Sequence, residues 1–314
     1  LSFDRMINAA FRQGQADTLR TLLDVGAATH LPERIRSAAL FRLERWDNPY
    51  IVDPTLGQMR SYPPDRHQDA NMIKAAVTAQ LPAAEGQVLS ALYHLADIYQ
   101  VPLDPVSLER RVLSTNADRD QRLQALKSLT QNPSANFSIT LETLLQDGDP
   151  FIRVAALEVL TSRTPKAAEA HIARFAESGS PLERQAAYKH LASVPSNRAV
   201  ELLVDGMNEL LADPANHDAA LELLDACSQR QEPKIQQLMK AYRDSLDAND
   251  PLAEYRTALV GGQAERGEII VREHGTAACI ICHSINGEGG VVAPDLTEIG
   301  VRARGEYLLE SLLV

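Results

Sequence analysis

One template recurs along the chain and limits what it can fold into. DRDQRLQALKSL (118–129), DPFIRVAALEVL (149–160) and SPLERQAAYKHL (180–191) each open on a helix-capping residue, Asp118, Asp149 or Ser180. An arginine follows four positions on (Arg122, Arg153, Arg184), then an alanine (Ala125, Ala156, Ala187) and a leucine (Leu129, Leu160, Leu191). DPANHDAALELL (213–224) fits with His217 in the arginine slot and Ala220 and Leu224 after it. PERIRSAALFRL (32–43) and AEGQVLSALYHL (84–95) are weaker copies, the first with Arg36, Ala39 and Leu43, the second with Ala91 and Leu95. The capping oxygen accepts from the free amides of a helix's first turn. Pro150, Pro181 and Pro214 stand at the first helical position, where a missing N–H costs nothing. The alanine lets a neighbouring helix approach, and the leucine fills the same face one turn later.

The caps recur after 31, 31 and 33 residues, the spacing of one helix pair per repeat in a HEAT-like α-solenoid. The expected fold is therefore all-α, with a helical repeat domain over 1–260. WDNPYIVDPTLGQMRSYPPDRHQD, rich in proline and turn residues, interrupts it. It is expected to be an insertion loop (46–69), either docking a neighbouring domain or packed on its own repeat. Arg36, Arg122, Arg153 and Arg184 are expected to bond neighbouring repeats, because helix stacking sets their register. His30, His67, His94, His171, His190 and His217 lack metal-ligand spacing. Cys227, on an apolar helix face, reads as a small buried hydrophobe.

The formal charge of −11 argues against nucleic acid as a partner, because an acidic surface repels phosphate. No apolar run approaches the roughly 18 residues that would span a bilayer. The chain starts LSFDRM, without initiator Met or signal peptide, and stops at EYLLESLLV, within a helical pattern. An internal piece of a longer polypeptide is the expectation.

The chemistry is concentrated near the end, in CIICHSINGEGGVVAPDLTEIG (279–300). Cys279, Cys282 and His283 form a CxxCH, the pattern of covalent c-type haem attachment. Two thiols one helical turn apart can reach the two vinyl groups on one porphyrin edge, and the next residue then offers a ring nitrogen to the iron. Three alternatives compete. A redox-active CxxC would normally follow a strand, and no strand pattern precedes Cys279. A structural zinc site needs a fourth ligand, and neither Cys nor His follows His283. A plain Cys279–Cys282 disulfide is the simplest rival. The adjacent histidine favours haem. Ile269, Ile270 and Val271 are expected to face inward on a short preceding helix. Gly287, Gly289, Gly290 and Gly300 are expected to let the backbone wrap a flat ligand, with Pro294 to Leu296 an apolar clamp for its edge.

RGEIIVREHGTAACIICHSINGEGGVVAPDLTEIG, followed by RARGEYLLESLLV, resembles the haem-binding domain of a family of large bacterial multidomain dehydrogenases. In that family a β-propeller precedes a helical-repeat region and then a cytochrome c domain; RLERWDNP (42–49) and RSYPPDR (60–66) resemble its linker region. The resemblance is specific over about 261–314, looser over 30–245, and does not extend to a propeller. It implies a truncated, class I-like cytochrome c domain over 261–314, with haem c held by thioethers to Cys279 and Cys282. It implies His283 as proximal iron ligand, Pro294 as the proline whose carbonyl orients that imidazole, and Leu296 as the apolar residue on the haem. The family's distal Met has no counterpart here. Met6, Met59, Met72, Met207 and Met239 all precede the motif, and His274 lies too near Cys279 to be favoured, so the distal ligand is expected beyond Val314.

The functional expectation is electron transfer by the cytochrome module of a larger periplasmic or extracytoplasmic dehydrogenase, of sugar or alcohol type by resemblance. Its partners would be an upstream dehydrogenase domain and a redox acceptor protein, and the piece itself would not be catalytic. The alternative is an α-solenoid interaction scaffold without a redox role. A third reading, a peroxidase or oxygen-binding haem, requires an open sixth position on the iron.

Overall fold

In a computed structural model the chain is all-α apart from two short hairpins. The structure describes residues 3–49, 52–53, 58–59, 61–63, 65–274 and 279–313. Among them, no helix is long and apolar enough to cross a membrane. The chain divides into two compact units, residues 1–137 with 271–297, and residues 138–270 with 298–314.

The first unit contains Phe3–Gln13 (α1), Ala16–Ala27 (α2), Glu33–Leu43 (α3), Ala70–Gln80 (α4), Gly86–Ile98 (α5), Pro105–Leu113 (α6) and Arg119–Gln131 (α7). Helix α3 packs on α1, α2 and α5, while α7 packs on α5 and α6. The template alanines and leucines make these contacts: Ala39, Leu43, Ala91, Leu95, Ala125 and Leu129 are all fully buried. Removing such apolar surface from water is the main term favouring the fold. Asp118 caps α7 by accepting from the Asp120 amide.

The described residues of the 46–69 loop fold onto their own unit. Trp46 is fully buried and donates its indole N–H to the His67 carbonyl at 2.6 Å. The Arg66 guanidinium lies 4.0 Å from the Trp46 ring and 4.4 Å from Phe11, which favours a cation over the electron-rich faces. Val52–Asp53 (β1) pairs antiparallel with Gln58–Met59 (β2). Asp53 is buried, accepting from the Asn8 amide and facing Arg12 at 3.7 Å. Of the two expectations for this loop, its described part follows packing on its own repeat.

The second unit contains Phe137–Leu144 (α8, whose first residue ends the first unit's opening segment), Pro150–Arg163 (α9), Pro165–Ser178 (α10), Pro181–Leu191 (α11), Asn197–Ala212 (α12), Ala220–Ser228 (α13) and Pro233–Ser245 (α14). A 3-10 stretch, Ala253–Leu259, follows. Ala264–Glu273 (α15) runs across the boundary at 270, and Ile299–Arg302 (α16) and Gly305–Leu313 (α17) complete the helices. Helix α11 packs against α9, α10 and α13, burying Ala156, Leu160, Ala187 and Leu191. Asp149 caps α9 through the Phe151 amide, with Pro150 at the first position. Cys227 is buried, as its sequence setting suggests, and burial pushes its thiol up to about 12.

The arginine slot has a common use. Arg36 donates to the Gly26 carbonyl at 3.0 Å, Arg122 to Val112 at 2.9 Å, Arg153 to Asp147 at 2.7 Å and Arg184 to Gly179 at 3.1 Å. Each acceptor lies at or just past the C-terminus of the preceding helix, where carbonyls lack intrahelical partners and the helix dipole favours a cation. Two of these arginines also reach onward. Arg153 grips Glu183 on α11 through two bonds, at 2.7 and 2.9 Å, and Arg184 grips Asp218 through two.

Two sequence expectations need correction. The copy at 213–224 does not start a helix at Asp213. That residue is the C-cap of α12, and its carboxylate accepts from the Asn216 side chain instead of a first-turn amide. Helix α13 begins only at Ala220, so Leu223 is buried in place of the expected Leu224. Nor do Ile269, Ile270 and Val271 all face inward. Ile269 is 57% and Ile270 52% exposed, since consecutive helical residues point about 100° apart and three in a row cannot share one narrow face.

Candidate functional site

Cys279–Ile281 forms a single 3-10 turn. The Cys279 carbonyl accepts from the Cys282 amide at 3.2 Å and the His283 amide at 2.9 Å, so the coil tightens within one turn and sets His283 directly after it. Cys279 is partly buried, Cys282 is exposed, and both are free thiols. Residues 275–278, which lead into this turn, lie outside the described residues.

Ser284–Ile285 (β3) then pairs with Glu288–Gly289 (β4) through a two-residue loop, Asn286-Gly287. Asn286 has φ +53 and Gly287 φ +78, the left-handed pair that matches the twist of a tight hairpin. The Asn-Gly dipeptide was the available sequence signal for this hairpin. Two glycines let the chain fold back on the cysteines. Gly289 has φ +109, and a Cβ there would stand 2.4 Å from the His283 carbonyl oxygen. At Gly290 a Cβ would meet the Ile281 carbonyl oxygen at 2.0 Å. The Gly290 amide donates to the Ile280 carbonyl at 2.9 Å and to that of His283 at 3.1 Å. Gly300, by contrast, sits in α16 with open space beside it.

The returning segment brings Pro294 to His283. The Ala293 amide donates to the Cys282 carbonyl at 2.8 Å, and the Leu296 amide to that of Ser284 at 2.8 Å. Between these two bonds the Pro294 carbonyl accepts from His283 Nδ1 at 2.7 Å. A carbonyl oxygen can only accept, so Nδ1 carries a proton, and in the neutral form of such a ring Nε2 is the nitrogen that keeps a lone pair. Pro294 is exposed and Leu296 partly buried. The nearby apolar side chains of Val291 and Val292 are 89% and 88% exposed. Thus the five residues singled out in the sequence occupy one short segment, with His283 and Pro294 in direct contact.

Sequence reasoning missed the polar bonds around that contact. Asp295 Oδ2 accepts from the Ser284 hydroxyl at 2.5 Å, Asp295 Oδ1 from the Thr297 amide at 2.9 Å, and Thr297 Oγ1 from the Asn286 amide at 2.8 Å. Arg272 pairs with Glu288 at 2.7 Å. Of the other histidines, His94 meets Glu44 at 3.0 Å and His171 meets Glu142 at 3.2 Å. Among the described residues no group of three or more His, Cys, Asp or Glu is arranged to hold a bare metal ion.

Comparison with family models, with curated proteins and with solved structures finds no match to this chain.

Proposed function

We propose that the chain binds haem c covalently and serves as the electron-transfer module of a larger periplasmic dehydrogenase. The observation that carries this reading is the His283–Pro294 bond beside paired thiols. An imidazole that is to ligate iron must present a nitrogen lone pair and hold its ring in one orientation, and a hydrogen bond at the other nitrogen provides both. Here Nδ1 is committed to Pro294 at 2.7 Å, which leaves Nε2 for the metal. Cys279 and Cys282, free thiols at the two ends of one backbone turn, would form the thioethers. A haem bound there would supply a one-electron iron couple. Ile281, Val291 and Val292, all exposed, give apolar surface against which a porphyrin edge can lose water.

On this reading 261–314 belongs to a class I-like cytochrome c domain, and the helix pairs of each unit are HEAT-like repeats. The donor would be an upstream dehydrogenase domain, of sugar or alcohol type, and the acceptor a redox protein. Covalent haem attachment takes place on the periplasmic side of bacterial membranes, which supports a periplasmic or extracytoplasmic location on this reading. The test is production of the chain with haem-maturation machinery. Sharp visible bands that survive acid–acetone extraction are expected, with a mass increase of one haem per chain. Colourless protein with both thiols unmodified would refute the proposal and leave the interaction scaffold as the standing reading.

A further inference from the structure

Pro294 lacks an amide N–H and sits in an exposed stretch, so it cannot anchor its own carbonyl by a main-chain donor. What fixes it must come from its neighbours. Main-chain bonds bracket it, Ala293 to Cys282 on one side and Leu296 to Ser284 on the other, both 2.8 Å. The Asp295 carboxylate adds a cross-link: one oxygen takes the Ser284 hydroxyl, next to His283, and the other takes the Thr297 amide. Thr297 passes the link back by accepting from the Asn286 amide.

We propose that Asp295, acting with Ser284 and Thr297, is a positioning residue that holds the Pro294 carbonyl on the His283 imidazole. Its geometric part stands on the hydrogen bonds alone. Its consequence for an iron couple rests on the haem reading above. The physical reason is leverage: the residues either side of Pro294 are tied to the residues either side of His283, so neither partner can swing away without breaking the cross-link. A carboxylate suits the place because its two oxygens accept two bonds in different directions at once.

Two variants separate this role from simple charge. Asp295→Ala removes the bonds to Ser284 and Thr297 together with the charge. Asp295→Asn removes the charge but keeps an acceptor for the Thr297 amide and a donor for the Ser284 oxygen. Ser284→Ala removes one bond and keeps the charge. The first measurement needs no haem: proton exchange at His283 Nδ1 by nuclear magnetic resonance in the full chain. We expect exchange at least about tenfold faster in Asp295→Ala, an intermediate gain in Ser284→Ala, and near-native protection in Asp295→Asn, with unchanged helical circular dichroism. Unchanged protection in Asp295→Ala, or equal loss in Asp295→Asn, overturns the proposal.

The second measurement uses haem-loaded protein. Asp295→Ala should alter the ratio of oxidised to reduced iron at fixed poise by about tenfold, about 59 mV for a one-electron couple, and Asp295→Asn by much less. Equal shifts in the two variants would mean that charge, and not the cross-link, acts on the iron, and would also overturn it. If the native chain takes up no haem while Asp295→Ala still loses Nδ1 protection, the haem reading falls and the positioning role stands.

Discussion

Arg153 shows how much a single side chain carries in the helical body. Its guanidinium meets the Asp147 carbonyl and both carboxylate oxygens of Glu183. Glu183, only 5% exposed, also accepts from the amide and hydroxyl of Ser180 at the start of α11. Burial alone would raise the Glu183 pKa, but the bonds from Arg153 and Ser180 outweigh it and bring the carboxyl down to about 2. Since the folded value lies below the ordinary 4.5, the contribution to stability is complete above that range and is lost as pH falls toward 2. Urea melts of the native chain should therefore weaken between those values, and Glu183→Gln should flatten the dependence. At neutral pH, Arg153→Met strands a buried carboxylate and should cost about 3 kcal/mol. The double variant should recover part of this in a mutant cycle. The slot that holds Arg153 was legible from its spacing. Its partner was not, because Glu183 lies 30 residues away and only the packing of α9 on α11 brings them together.

At the level of whole elements, the repeated cap decides where helices start, and the copy that failed shows what the pattern lacks. Asp118 and Asp149 each accept a first-turn amide, whereas Asp213, followed by a proline as Asp149 is, ends a helix instead. The turn that follows it, 213–219, sets Asp218 within reach of Arg184. Asp149→Ala should cost about 1 kcal/mol, while Asp213→Ala should stay within about 0.5 kcal/mol, both read from denaturation midpoints. Propensity and capping chemistry predict a helix start, but the Asn216 side-chain amide, three residues on, donates to the Asp213 carboxylate and takes up the oxygens a first-turn amide would use. The hairpin at 284–289 was legible in principle from Asn-Gly. The cross-link through Asp295 was not, since its members fall into place only once that hairpin closes. The contact between His283 and Pro294 was expected from family resemblance alone; the spacing of the two residues did not dictate it.

For the molecule as a whole, the formal charge of −11 gives a direct expectation. An acidic surface repels polyanions, so the chain should pass unretained through a heparin column at low salt and bind an anion exchanger. Retention on heparin would reveal a basic face that the overall charge conceals. The all-α class was readable from the repeat. The grouping of residues into two units was not, because each unit gathers segments that are distant along the chain. One consequence follows from the way the residues around His283 are closed. The bonds named around the imidazole join positions within 279–297, with Arg272 of the preceding helix adding a pair to Glu288, so this stretch is expected to behave as a portable cassette. Grafted onto an unrelated helical host, it should bring the ring orientation with it.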